Sequence, residues 1–539
     1  MEPHPVGQPA DDQGDVRPAD GLPLPVHDPR PRRERRQAVS GRAAGLLAAA
    51  GLALVFAASA GAALIVGTSG DNLLLGTLKP DRIAALAGND RIDVAGGGLD
   101  RVSCGSGSDL VAADSSDKLS ADCEVVSRRV STDAYYGGGL HATEAEPDSF
   151  GSGSTVVATF QVARFSSGGA RNIGFAVSDD AGRHWRNGLL PRETVSSRPR
   201  GQFSRASDPS VAYDSLHGVW LIAALGFSDN ESALLVSRST DGLHWSAPSV
   251  AARKQSGNDG VLFDKDWIVC DNGAASPFRG HCYLSYSDIE HTRLATQTSI
   301  DGGRTWSKPV ASPDGAGRRG ILGAFAPAPQ PVVLPSGVVV VPLYDDEIAV
   351  VRSTDGGASF SAETVIAPSR FSTSAVRAAP FPSAEVGADG NVLMAWPDCS
   401  TGANCAGNDL LFSKSSDGLT WTSPEALPLG PGDHVITGLA ADPVRSGRIA
   451  VAYYTESRGK LDVHLVRSLD GGVTWSRPLL LSPERIPFGR IAFSNGVMVG
   501  DYISTSFAGG RAVAVFMLAQ AKVRGRLRQA TYAASVAVP

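Results

Sequence analysis

Cysteine is scarce in this chain, six in 539 residues, and methionine is scarcer at four. No His-Glu-x-x-His, Cys-x-x-Cys, Walker or dinucleotide-binding phrase occurs. Helical periodicity is rare. Basic residues do not outnumber acidic ones, 49 against 55 for a net charge of −6, and the clearest basic cluster sits in the N-terminal tail, so nucleic acid is excluded as a partner. The few cysteines fall in pairs close in sequence: Cys104 with Cys123, Cys270 with Cys282, and Cys399 with Cys405. An even number paired locally favours disulfides and an oxidising compartment, although spacing alone does not set the connectivity.

What the chain does have is glycine, 61 residues, and 42% hydrophobic residues, the composition of a large all-β protein with a sizeable core. One phrase organises it. It begins at Ser178 (SDDAGRHW), Ser239 (STDGLHW), Ser299 (SIDGGRTW), Ser353 (STDGGASF), Ser415 (SSDGLTW) and Ser468 (SLDGGVTW), a repeat of 53 to 62 residues. The physics is that of a tight turn between strands. The Asp folds back onto turn N–H groups, the Gly supplies positive φ, and the aromatic seeds the next buried face.

The phrase resembles the Asp box of the sialidase-like (BNR repeat) β-propellers. That resemblance implies an all-β Asp-box β-propeller over residues 143–539. Units of four strand-like runs start near Glu146, Asp208, Asp264, Gln330, Ser383, Val435 and Val497, so seven blades are favoured, with the family's six as the alternative. The last unit lacks a fourth run, and a strand near Val130, within the linker 125–142, would complete it and remove an exposed edge.

Before the propeller the texture changes three times. Residues 1–42 are rich in Pro, Asp and Arg and read as a disordered cytoplasmic tail or a long n-region. Residues 43–66 are a continuous apolar run behind an arginine cluster. They are either a signal peptide cut after Ala58-Ser59-Ala60 or an uncleaved membrane anchor, and either places the remainder outside the cell. Residues 67–124 are Gly/Asp-rich, with Asp71, Asp81, Asp90, Asp100 and Asp109 spaced by nine or ten residues and an aliphatic two positions after each. This cadence resembles the RTX-type calcium-binding nonapeptide and implies a small β-roll, with Asp90, Asp100 and Asp109 as Ca²⁺ ligands. A metal-free solenoid stapled by Cys104 and Cys123 is the alternative.

The resemblance also implies where chemistry would sit, namely at the strand ends opposite the Asp boxes. That rule selects Arg205, Asp208, Asp264, Asp266, Arg377, Tyr454, Glu456, Arg490, Asp501 and Tyr502 as catalytic or ligand-site candidates. Lys265, between two aspartates, is a salt-bridged strut by default and a further candidate. Sialoside hydrolysis needs arginines for the substrate carboxylate, an acid for the leaving oxygen and a Tyr nucleophile activated by a Glu, and all of these residue types are present. No F-R-I-P-like motif opens the propeller, and Arg485-Ile486-Pro487 lies at the opposite end of the chain. The expected function is therefore an exported glycoside hydrolase, exo-α-sialidase-like, acting on terminal acidic sugars. The alternative is a non-catalytic propeller that binds glycan or protein at the cell surface, with membrane contact only through the N-terminal apolar segment.

Overall fold

The computed structural model describes residues 53–55, 63–133, 135, 140–255, 262–314 and 328–538. The tail 1–42 and most of the apolar run 43–66 lie outside the described residues. The described chain is all-β, with only two short 3-10 turns, Ala403–Cys405 and Phe488–Arg490.

Short strands stack first. Ala53–Val55, Asn72–Leu75, Arg91–Asp93, Leu110–Ala113 and Val125–Arg129 pair in parallel in one sheet; Leu64–Val66, Arg82–Ala84, Arg101–Ser103 and Lys118–Leu119 do so in a second. Leu64 pairs with Arg82 and Arg82 with Arg101, offsets of 18 and 19 residues, so the acid spacing of nine or ten in the sequence is half a coil. Ile65, Leu74, Ile83, Ile92, Val102 and Val111 stack inside, and Cys104 and Cys123 are bonded beside them. The first coil takes in Ala53–Val55 and Leu64–Val66, which belong to the apolar run assigned above to a signal or anchor.

The carboxylates of this coil turn inward and cap backbone N–H groups of the neighbouring coil. Asp81 accepts from Ala63 N at 2.7 Å, Asp90 from Asn72 N at 2.8 Å, Asp100 from Asp81 N at 2.6 Å, and Asp109 from Asp90 N at 2.8 Å. Parallel coils of three-residue strands leave corner N–H groups without a ladder partner, and a buried donor must be satisfied. One acid per half coil answers that need.

Antiparallel meanders follow, and each turn expected from the Ser-x-Asp phrase forms as its chemistry requires. Ser299 Oγ donates to Asp301 at 2.9 Å, Asp301 accepts from Arg304 N and Thr305 N at 2.9 Å, and Gly303 N donates to Ser299 Oγ. Trp185, Trp245 and Trp475 each donate Nε1–H to the carbonyl of the turn glycine. Cys270 and Cys282 are bonded directly across two paired strands, and Cys399 is bonded to Cys405.

The β-propeller expectation, with seven or six blades, is overturned. The self-repeating stack in the structure is a β-solenoid of about four turns. The strands that follow do not stand as equal, separate blades. Pairing of Ala170 with Ala206, of Thr143 with Gln529 and of Arg129 with Tyr532 fuses the solenoid's edge and several meanders into one sixteen-stranded sheet, beside smaller sheets of four and five strands. The strand expected near Val130 is Val125–Arg129, and it ends a solenoid sheet while pairing antiparallel with Gln529–Ala537. The physical reason for the difference is that the Ser-x-Asp phrase determines a turn between two strands and says nothing of how the resulting sheets join.

Glu193 illustrates the buried acids of the fold. It accepts from Ser237 Oγ at 2.7 Å through one oxygen, its other oxygen is buried without a partner, and burial pushes its carboxyl up to about 7. A raised carboxyl is held protonated by the fold, so its stabilising contribution is present below the usual carboxylate range and is lost as pH rises through about 7. Glu193→Gln should therefore leave the melting midpoint nearly unchanged at pH 5 and raise stability at pH 8 by about 1–3 kcal/mol. An equal gain at both pH values would refute this account of Glu193.

Candidate functional site

The site begins with an irregularity repeated in several strands. Leu140–Ser152, Arg205–Asp214, Phe263–Cys270 and Asp433–Ala441 each slip register near the start, at Ala145/Asp148, Ser207/Ser210, Asp264/Trp267 and Val435/Thr437. At each slip one residue other than glycine takes positive φ: Glu146 (52°), Asp208 (49°), Lys265 (52°) and Ile436 (56°). A β-bulge re-aims side chains, and a left-handed L-residue costs about 1 kcal/mol or more, so these positions are held by what their side chains meet.

What they meet is one another. Lys265 is 8% exposed, and its ammonium donates to Asp501 and lies 3.7 Å from Asp208 and 3.8 Å from Glu146. Lys265 N also donates to Asp208 Oδ2 at 3.0 Å. Arg377, 30% exposed, donates to Asp501 at 2.6 Å. Behind them Gln161 donates to Glu146 and, at 3.0 Å, to Ser207 Oγ, and Arg164 Nε donates to Gln161 at 2.8 Å.

Electrostatics splits the acids. Burial, only partly offset by Lys265, pushes Glu146 up to about 8 and Asp264 up to about 7. Burial pushes Asp266 well above the carboxylate range, with Asp208 adding to the rise. Asp208 and Asp501 go the other way: desolvation raises both, but for Asp208 Lys265 together with hydrogen bonds from Asp264, Glu146 and the Lys265 amide outweighs it, and for Asp501 Lys265 and Arg377 together do. Arg377 and Lys265 are correspondingly held in their charged forms.

The cluster opens onto a narrow cleft. Lys265, Asp266, Asp501, Trp267, Tyr502 and Phe381 are among its walls. Trp267 and Tyr502 meet edge to face with centroids 5.0 Å apart, and the Tyr502 hydroxyl donates to Pro209 O at 2.9 Å. Burial raises the Tyr502 phenol well above its usual range, with Glu146 and Asp208 adding to the effect.

Of the residues selected from sequence, the structure brings together Asp208, Asp264, Asp266, Arg377, Asp501 and Tyr502. It places the others elsewhere. Arg205 lies over the Phe165 ring at 4.6 Å and donates to Ser167 Oγ and Gly168 O. Tyr454 is fully buried, donating to Met517 O at 2.9 Å and accepting from Met517 N at 2.8 Å. Arg490 pairs with Glu484. Glu456 sits opposite Asp433 in its ladder, with one carboxyl oxygen buried and unpaired. Lys265 is the hub of the cluster. Glu146, Gln161 and Arg164 were not among the candidates; Glu146-Pro147 repeats the acid-proline step of Asp208-Pro209 and was legible, whereas Gln161 and Arg164 sit in an ordinary apolar strand.

Among the described residues, Asp288, Glu290 and His291 come close enough to share a cation, but Lys254 already pairs with both acids. In the solenoid Asp90, Asp100 and Asp109 are buried, and each has its Oδ2 without a partner.

A family model described as a BNR repeat-like domain matches residues 345–482, a stretch holding the phrases that begin at Ser353, Ser415 and Ser468. No curated protein matches the chain. Among solved structures, Hadza microbial sialidase Hz136 is similar at 16% identity and TM-score 0.41, over 58% of this chain and 64% of that one, just under two thirds of its length. The leech intramolecular trans-sialidase is similar at 14% identity and TM-score 0.41, over 66% and 70%. A PL25 ulvan lyase is similar at 12% identity and TM-score 0.45, over 75% and 96%. No residue role is carried over from these structures to this chain.

Removing the hub cation strands the acids around it. Lys265→Met should cost about 3–5 kcal/mol of unfolding free energy at pH 7 in urea titrations, and less at pH 5, where the stranded acids take up protons. Arg377→Met, at a partly exposed group, should cost less than Lys265→Met. A Lys265→Met loss under 1 kcal/mol, or one independent of pH, would show that the cluster does not depend on this charge.

Proposed function

We propose that this protein is an exported glycan-acting hydrolase whose working site is the cleft over Lys265 and Asp501, with acidic sugars as substrates. The observation that carries the reading is a buried cluster of acids, held in opposite protonation states, opening onto a cleft walled by Trp267, Tyr502 and Phe381. Aromatic rings pack against sugar faces, the split acids provide a proton donor and a charge stabiliser, and the partly exposed Arg377 guanidinium offers charge-assisted bonds to a substrate carboxylate. The proposal does not use Tyr454, whose hydroxyl is committed to Met517. Export is supported by three disulfides, Cys104–Cys123, Cys270–Cys282 and Cys399–Cys405.

A non-catalytic glycan binder is the second reading, favoured by the degree to which Lys265 is already neutralised within the protein. Assay of the full chain on fluorogenic sialosides, glucuronides and neutral glycosides separates the two. The hydrolase reading expects kcat/KM at least about tenfold higher on an acidic sugar, a gap of about 1.4 kcal/mol, and Arg377→Met raising KM more than it lowers kcat. Binding of the same sugars by calorimetry without turnover gives the second reading its place, and neither binding nor turnover removes both.

We also propose that the solenoid holds Ca²⁺ at its two acid stacks, through Asp90 and Asp109 in one and Asp100 in the other, since Asp90 caps Asn72 and Asp109 caps Asp90 while Asp100 caps Asp81. The fit rests on their donor chemistry, a buried and unpartnered carboxylate oxygen on each, of the hard type that Ca²⁺ takes. An ion in either stack would screen like charges there, while the other oxygen keeps its backbone cap. EGTA should lower the melting midpoint of the full chain and added Ca²⁺ should restore it, with Asp90→Asn, which keeps the cap to Asn72, weakening the response. A melting curve indifferent to EGTA together with no heat of Ca²⁺ binding sinks the proposal.

A further inference from the structure

The repeat that stacks the solenoid's acids also sorts its cations. In Asp81-Arg82, Asp100-Arg101 and Asp117-Lys118 each acid is buried and caps the coil before it, Asp117 accepting from Asp100 N at 3.0 Å, and the basic residue that follows is exposed. Parallel pairing sets Arg82 opposite Arg101 and Arg101 opposite Lys118. One column on the outer face of that sheet therefore carries three cations, each about 4.8 Å along the coil axis from the next. The column continues at Leu64, exposed and uncharged, which ends the charged line.

Nothing within the protein answers these charges. Among the described residues, the side chains of Arg82, Arg101 and Lys118 enter no hydrogen bond or ion pair. Like charges directly opposite each other in a sheet are destabilising, so this column weakens the solenoid unless an anion lies along it. The column beside it, Val66, Ala84 and Ser103, is uncharged. Asp122, which Ser103 reaches at 3.5 Å, already accepts from Ser120 and from Gly105 N.

The charge is thus a line, and a line fits one shape of partner. An anionic membrane surface would be met by cations spread over several columns, whereas a linear polyanion needs only one. A polyuronate carries a carboxylate on every sugar, and an extended pyranose chain advances by about one strand spacing per residue. Its carboxylates alternate between the two edges of the ribbon, and long Arg and Lys side chains reach either edge. Arg82 and Arg101 each present a planar guanidinium that takes a carboxylate through two N–H donors.

We propose that the Arg82, Arg101 and Lys118 column binds a linear acidic polysaccharide of the uronate class, laid along the solenoid axis. The site shares no residue with the cleft over Lys265 and does not rest on the hydrolase reading. It holds the polymer without cutting it, through contacts that are weak singly and repeat along the chain.

The test uses the full chain, with polygalacturonate as the probe, dextran as a neutral polymer and phosphatidylglycerol vesicles as an anionic surface that is not a sugar. Affinity electrophoresis should show binding to polygalacturonate that weakens as NaCl rises, and none to dextran. Arg82→Gln/Arg101→Gln/Lys118→Gln should lose about tenfold or more in affinity, as expected of three exposed ion pairs. Arg445→Gln/Arg458→Gln/Lys460→Gln makes the same change of charge at exposed positions of the antiparallel region and should lose less than about threefold. The column variant should melt no lower than wild type, since it relieves the like-charge column. Arg101→Gln alone, at the centre of the column, is read in the same direction should the triple variant not fold.

Equal losses in the two triple variants, equal binding of dextran, or binding to the vesicles and not to polygalacturonate overturns the proposal and leaves the hydrolase reading untouched. Binding lost in Arg377→Met but kept in the column variant assigns the polymer to the cleft and likewise overturns it. A chain that binds polygalacturonate through the column yet turns over no glycoside removes the hydrolase reading and keeps this site.

Discussion

Two strands and the bend before Ser504–Ala508, far apart in sequence, deliver Glu146, Asp208 and Asp501 to within reach of one ammonium, that of Lys265, and the ammonium is almost entirely out of water. Burying a charge costs several kcal/mol, and attraction repays that cost only where geometry is close and the remaining polar atoms are bonded. Here the repayment is shared. Gln161 and Ser207 support the acids from behind, Arg377 adds a second cation to Asp501, and the bulges set the directions of Glu146, Asp208 and Lys265. Strained backbone and buried charge thus depend on each other, since relaxing a bulge would withdraw an acid from the cation, and removing the cation would leave the bulge nothing to hold it.

The cleft inherits its chemistry from that arrangement. Acids outnumber the cations near the ammonium, so they cannot all ionise in a dry site. Asp208 and Asp501 are the ionised members and Glu146, Asp264 and Asp266 the neutral ones; Glu146 lies as near the ammonium as Asp208, so the hydrogen bonds that Asp208 receives decide between them.

The solenoid solves a related problem with the opposite economy. Its acids are not gathered around a cation of the protein but spread one per half coil, each capping a backbone amide of the coil before it. The same residues therefore serve the backbone through one oxygen and leave the other available. Val125–Arg129 couples this stack to the antiparallel region by pairing on both sides, and Gln520 reaches back to Asp93 across the junction at 2.9 Å.

Local rules were legible in the chain. The six turn phrases, the half-coil acid period and the cysteine pairs each follow from interactions between residues close in sequence, and such interactions need no knowledge of the whole. Asp208, Asp264, Asp266, Arg377, Asp501 and Tyr502 could be selected because the repeat pattern puts them at or just before strand entries; the structure has the first three on strands and the others in the connections. Tyr454 and Arg490 met the same rule, yet the partners that claim them, Met517 and Glu484, are visible only in the folded protein. The joining of sheets through single pairs such as Thr143 with Gln529, and the entry of the apolar run's Leu64–Val66 into the first coil, were likewise decided in three dimensions. The sequence by itself determined turns, strands and the types of charge at their ends, because those depend on neighbours along the chain. Only the tertiary structure decided which acids share Lys265, because a charge buried from water is satisfied by whatever the fold brings to within about 4 Å of it.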